Sequence, residues 1–189
     1  MLKEIEIKGK HGKFIDDLTK AVLPNTQFAF FPTNVSVYTL APIIGFQYKR
    51  RAEEDKSSDD NKKINYQQIM KNRNRIAFNY HIIQLLSSAD TIAPEKRIEK
   101  AFRYPEVDED RAKQDEDYKN SAEYIGRKEN EALYYQYLLG GIEVLHEKLV
   151  MNAGNEDEAY FNIYDFVEEF EREVAEEQSL YDLFNEIDY

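Results

Sequence analysis

Apolar residues recur three and four positions apart over 131–150, EALYYQYLLGGIEVLHEKLV, where Leu133, Tyr137, Leu138, Gly141, Leu145 and Leu149 mark one helix face. Glu143, Glu147 and Lys148 fall off that face and are expected in water. The period predicts a long core helix over about 118–151. Two interior glycines, Gly140 and Gly141, should cost about 1 kcal/mol each relative to alanine, so either a neighbouring helix presses close against them or the helix breaks there. Upstream, 2–7 alternates apolar and charged residues and predicts a short edge strand or an extended arm. Phe14, Ile15, Leu18, Ala21 and Val22 follow Gly12 as a helical face that stops before Pro24. Phe28, Phe30 and Phe31 then crowd a loop over 25–34 that must plug into the core.

The stretch 35–51 is apolar on most sides, with Thr33 or Asn34 as N-cap, so it should be largely buried. Pro42 inside it predicts a kink or a fresh helix start near Ala41. The run 49–63, KRRAEEDKSSDDNKK, reads as a solvated loop or linker. Helical period returns over 64–88 through Ile69, Ile76, Phe78, Tyr80, Ile83, Leu85 and Leu86. Pro94 opens a short helix bearing Ile98, Ala101 and Phe102, and the charged stretch 106–117 passes over the surface. After a glycine-containing turn at 152–155, Tyr160, Phe161, Ile163, Tyr164, Phe166, Val167 and Phe170 stripe a final acidic helix whose apolar face must be covered; Leu180, Leu183, Phe184 and Ile187 add a separate short amphipathic piece. The expected fold is mainly α, a single-domain bundle of about five to seven helices with a short N-terminal strand: a domain over 1–174 with a charged loop at 49–63, and an acidic helical tail at 175–189.

With 42% hydrophobic and 13% aromatic residues, the 189-residue chain can bury a real core. The absence of cysteine removes disulfides, Cys-ligated zinc and a thiol nucleophile. No apolar N-terminal run suggests a leader or membrane span, so a cytoplasmic location is the expectation. The net charge of −12 is unevenly placed. All of it lies over 156–189, where 13 acidic residues face only Arg172, while the rest of the chain balances. Such a segment argues against nucleic-acid or anionic-membrane binding through the C-terminus and for a basic partner or plain solubility.

Candidate chemistry is thin. His81 and His146 lack a second histidine at metal spacing and are read as structural. Glu143 and Glu147, one turn apart, could share a cation with Glu123 or Glu131, but a di-metal bundle needs two Glu-x-x-His pairs, which the chain does not carry. No phosphate-cradling loop or common hydrolase motif occurs, so no cofactor, metal or catalytic residue is expected. Tyr134, Tyr135 and Tyr137 lie on different sides of one helix, so either at least one meets another chain or their hydroxyls reach solvent at the edge of the core. The expected partner-binding set is Tyr134, Tyr135, Glu168, Glu169, Glu176, Glu177 and Tyr181. Lys49, Arg50 and Arg51 end a buried helix, where they offset its dipole or contact an anion, a patch that Lys62, Lys63, Lys71, Arg73 and Arg75 would continue.

The segments VYTLAPIIGFQYKRR (37–51) and LGGIEVLHEKL (139–149) together resemble the small accessory proteins of bacterial DNA phosphorothioation and related phage-defence loci, in which an Ala-, Gly- and Arg-bearing helix precedes a Gly-containing one. The resemblance covers about a third of the chain. It implies a non-catalytic adaptor of a larger nuclease, helicase or ATPase, and carries no active-site residues. The rival expectation is a phage-encoded inhibitor that mimics DNA, with Glu168, Glu169, Glu171, Glu173, Glu176 and Glu177 standing in for phosphates. A dispersed carboxylate enzyme site ranks third.

Overall fold

The computed structural model of the chain describes residues 5–57, 61–88, 91–102 and 108–187, with side chains of the last helix as far as Arg172. The elements run β1 (Ile5–Lys8), α1 (Gly9–Thr19), α2 (Asn34–Gln47), β2 (Asn61–Ile64), α3 (Tyr66–Lys71), α4 (Arg73–Leu86), α5 (Pro94–Phe102), α6 (Glu109–Gln114), α7 (Glu116–Lys119), α8 (Ala122–Leu145), a π-helical turn (His146–Val150) and α9 (Glu156–Ile187). The fold is mainly α with a short N-terminal strand. Nine α-helices among the described residues exceed the five to seven expected, for local reasons. Asn72 turns its amide back to donate to the Gln68 carbonyl and breaks 64–88 into α3 and α4. Asp108 and Asp115 cap two short helices, α6 and α7, in the charged stretch expected to pass over the surface. In the other direction, the piece at 180–187 continues α9 instead of standing apart.

The molecule is built on the pair α2 and α8. Thr33 caps α2, its hydroxyl accepting from Ser36 N–H, and the helix runs unbroken through Pro42 with no fresh start. Ala41 and Gly45 on α2, one turn apart, meet Tyr137 and Gly141 on α8, also one turn apart. A methyl on Gly141 would strike the Ala41 carbonyl, and one on Gly45 the Tyr137 carbonyl. The glycines therefore stand where two backbones touch, and close packing offsets their cost in helix propensity. Three of these four residues, Ala41, Gly45 and Gly141, fall within 37–51 and 139–149, so those two segments meet at a packing interface.

Around this pair, Ile7 of β1 and Ile64 of β2 are fully buried, and the strands pair antiparallel with Ile5 opposite Ile64. Ile15 and Leu18 of α1 and Ile69 and Ile76 of α3 and α4 complete one cluster; Tyr80, Ile83, Tyr134 and Tyr137 form a second between α4 and α8. Phe30 and Phe31 pack on the core from the loop, as their aromatic density predicts. Phe78, expected in the core, is 61% exposed, and Leu86, Ile98 and Phe102 are exposed too. Among the described residues, no helix is long and apolar enough to cross a membrane.

The charged run is not a free linker. Arg50 lies so close over α8 that a methyl on Gly140 would strike its carbonyl. Ala52 N–H donates to the Gln136 carbonyl at 3.1 Å, and Glu53 and Glu54 accept from Gln136 and Tyr135 side chains. Its far end is strand β2. Backbone groups that find partners on a neighbouring helix hold such a segment whatever its side-chain polarity.

Candidate functional site

Two places gather functional side chains. The first lies between α1 and α8. Gly9 follows β1 in the left-handed region (φ +62°), and a Cβ there would collide with Asp55. That approach lets the Asp55 carboxylate accept from Lys10 N–H at 2.8 Å and from Ser57 N–H at 2.9 Å, so it caps α1 from a remote segment in place of Lys8. Hydrogen bonds from Ser57 first and from Lys10 next hold its carboxyl at about 2. The turn then aims Lys10 and His11 at α8. Glu143, expected in water, is only 7% exposed. Its Oε1 accepts from Lys10 Nζ at 2.8 Å and His11 Nε2 at 3.2 Å, its Oε2 from Arg50 Nε at 3.3 Å, and Arg50 also donates to Glu147 at 2.9 Å. A carboxylate in mid-helix is thus carried inside because three donors from two other elements converge on it.

Burial lowers the pKa of His11, although the Glu143 carboxylate pulls it the other way. A neutral imidazole with its proton on Nε2 fits this geometry, since Nε2 faces the carboxylate while Nδ1 is buried without a partner. For Glu143 burial raises the pKa, but the bonds and charges of Lys10 and His11 outweigh it and the net shift is downward. One turn on, where α8 widens into the π-helical turn, His146 Nε2 meets Asp17 at 3.0 Å and its ring stacks on Phe14 at 3.9 Å. Glu143 and His146 form a Glu-x-x-His spacing, but each is spent on a different α1 partner, and the described residues hold no group of three metal-type ligands. The arrangement interlocks α1, 49–57 and α8.

The second place is the outer side of α9. A reciprocal cap starts this helix, with Asn155 accepting from Glu158 N–H and Glu158 accepting from Gly154 N–H. Ile163, Phe166 and Phe170 turn inward, Asn162 donates to the Leu149 carbonyl, and Lys148 pairs with Glu169. The rest of the stripe, expected to be covered, is not. Phe161 is 68% and Tyr164 66% exposed, with Tyr160 and Val167 exposed beside them, and Asp157, Tyr160, Phe161 and Tyr164 line a shallow depression of about 420 Å³. Exposed Asp157, Glu168 and Glu171 alternate with these aromatics around the helix, and Asp165 and Glu158 lie to one side of them. A single helix cannot bury a stripe wider than its seat on the core.

The expected partner residues divide accordingly. Tyr134 is 4% exposed in the α4–α8 cluster, and Tyr135 lies half-buried under the charged run with its hydroxyl on Glu54, so neither presents the partner surface expected of it. Tyr134, Tyr135 and Tyr137 can all be covered because α2, α4 and the segment 49–57 enclose different sides of one helix. Glu168 is exposed; Glu169 is bound to Lys148. The side chains of Glu176, Glu177 and Tyr181 lie outside the described residues. Arg50 is committed to Glu143 and Glu147, and Arg51 lies 5.9 Å over the Tyr137 ring, which leaves Lys49, exposed at φ 50°, of the proposed anion contact. Sequence reasoning missed His11, Lys10 and Asp55. The available signal was Gly9 and Gly12 flanking a Lys-His pair where an alternating strand turns into a helix. Comparison with protein-family models, with curated proteins and with solved structures finds no match.

Proposed function

We propose that the protein is a non-catalytic interaction subunit whose docking element is the outer face of α9. The observation that carries this reading is the exposed aromatic stripe of Tyr160, Phe161, Tyr164 and Val167, interleaved with exposed carboxylates. Clustered exposed aromatics are the side chains that dominate interface energies, and carboxylates around them select a partner with basic residues beside an apolar groove. The buried network supports the same reading from the other side, because its titratable groups are occupied in holding helices together. The likeness of 37–51 and 139–149 to phage-defence accessory proteins supports a larger ATPase, helicase or nuclease acting on nucleic acid as the partner. The exposed carboxylates of Asp165, Glu168 and Glu171 favour a second reading, an inhibitor that mimics DNA.

The test is capture of partners from the native host by wild type and by the Phe161→Ala/Tyr164→Ala variant. An adaptor loses its partner in the variant and keeps it in the presence of duplex DNA, whereas a DNA mimic is displaced by duplex and tolerates loss of the aromatics. A partner retained equally by both proteins at low and high salt would move the interface off α9.

A further inference from the structure

α2 is apolar on nearly all sides, yet α8 covers only the side that bears Ala41 and Gly45. On another side, between α2 and α4, lies a groove of about 410 Å³ with Phe31, Val35, Leu40 and Ile43 along its apolar wall and Arg75 and Asn79 on the facing helix. That volume lies within the range of sites that hold ligand side chains. Its charge is unusual. Lys71, Arg73 and Arg75 are exposed around the start of α4, and none makes an ion pair among the described residues. The first turn of α4 holds no acid, and Asn72 spends its amide on the Gln68 carbonyl instead of capping the helix. Lys71 ends α3, where a cation is favourable, but Arg73 and Arg75 stand in the first turn of α4 at the positive end of its dipole, which repels both, an arrangement that an incoming anion relieves. Within the groove, Asn79 is 5% exposed and donates from Nδ2 to the Thr39 carbonyl at 2.6 Å, which leaves Oδ1 as an acceptor for a hydroxyl.

A fitting occupant is an acidic helix with aromatic, hydroxyl-bearing side chains on one face. The outer face of α9 is such a helix: Phe161 for the apolar wall, the Tyr164 hydroxyl for Asn79, and Asp157, Asp165 and Glu168 for the cations. Its inner face is fixed on the π-helical turn, so Phe161 and Tyr164 face away from its own body, while Tyr160 rests edge-to-face on Phe28 at 5.2 Å. We propose that the groove between α2 and α4 receives α9 of a second copy of this chain. The proposal rests on the reading of α9 as a docking element and names one partner for it. Where both surfaces face one way, two copies close a symmetric dimer; otherwise they form a ring or a chain of copies.

Light scattering and sedimentation across a concentration series test this. Wild type associates, and association weakens as salt screens exposed charges beyond about 8 Å at physiological strength. Arg73→Glu/Arg75→Glu on the groove and Phe161→Ala/Tyr164→Ala on α9, both checked by circular dichroism for an intact fold, each weaken association at least tenfold. Mixing the groove variant with an Asp165→Arg/Glu168→Arg chain restores it, because each supplies the surface the other lacks. A wild type that stays monomeric throughout, or a groove variant that associates like wild type, overturns the proposal. So does binding of duplex DNA by a monomeric wild type that the groove variant loses, since phosphate would then be the occupant. A monomeric protein whose α9 still captures another protein sinks this inference alone and leaves the proposed function standing.

Discussion

His11 and Glu143 make the interlock between α1 and α8 sensitive to acid, and the sign follows from the direction of each shift. His11 has a folded pKa below its usual 6.5, so the folded chain binds fewer protons there than the unfolded one; stability is complete above that value and falls as pH drops below it. Glu143 has a folded pKa below 4.5, and what it contributes is present above that value and lost as pH falls further. The melting temperature should therefore decline between pH 7 and 5, and decline less in His11→Gln; an equally steep fall in the variant would assign the acid sensitivity elsewhere. Removing the carboxylate with Glu143→Ala orphans a buried imidazole and should cost about 1–3 kcal/mol. Glycine 141 offers a second contrast. Because its missing Cβ faces the Ala41 carbonyl, Gly141→Leu should cost about 1–3 kcal/mol or more by denaturant titration, while Gly154→Ala, near only the Glu158 carboxylate, should stay within about 0.5 kcal/mol. Equal costs would mean that the helix pair can open to admit side chains.

Among elements, the segment 49–57 is the one whose composition misleads most. Seven of its nine residues are charged, yet backbone and side-chain bonds tie it to α8 and to the start of α1. Trypsin should cut slowly after Arg50 and Arg51 in wild type, because cleavage needs several residues to leave their bonded positions. Gly140→Ala pushes directly on the Arg50 carbonyl, so it should speed those two cuts while helicity is retained. Fast cutting there in wild type would show the segment to be as free as its charge pattern suggests. The same tie explains why Arg50 and Arg51 are poor candidates for an external anion: both are already spent on groups of their own chain.

Across the whole molecule, apolar burial and net charge occupy different ends. The balanced part of the chain holds the core, and the acidic excess rides on α9, which is anchored through Ile163, Phe166 and Phe170 near its start. Deleting 176–189 removes none of these contacts and should leave the melting temperature unchanged, whereas Phe166→Ala, which empties a buried site beside Tyr48, should cost about 3 kcal/mol. A truncated chain that melts well below wild type would place a docking contact beyond Arg172.

What the sequence determined by itself was whatever follows from local period and caps. The mainly α class and Pro94 at the start of α5 rest on residues read within one or two turns; the same local signals narrowed the N-terminus to a strand or an arm, the α2 cap to Thr33 or Asn34, and the two glycines to a close contact or a break, and the fold took the strand, Thr33 and the close contact. Tertiary structure decided everything that depends on which element lies opposite. Glu143 is polar in any local pattern, and only the convergence of Lys10, His11 and Arg50, from 93 to more than 130 positions away, makes it an interior residue. Tyr134 and Phe161 are both aromatic on helical stripes. One is covered because α4 packs over it, and the other is bare because, among the described residues, no element packs over that side of α9. Period tells which residues share a face, but the chain's return path settles whether anything comes to cover it.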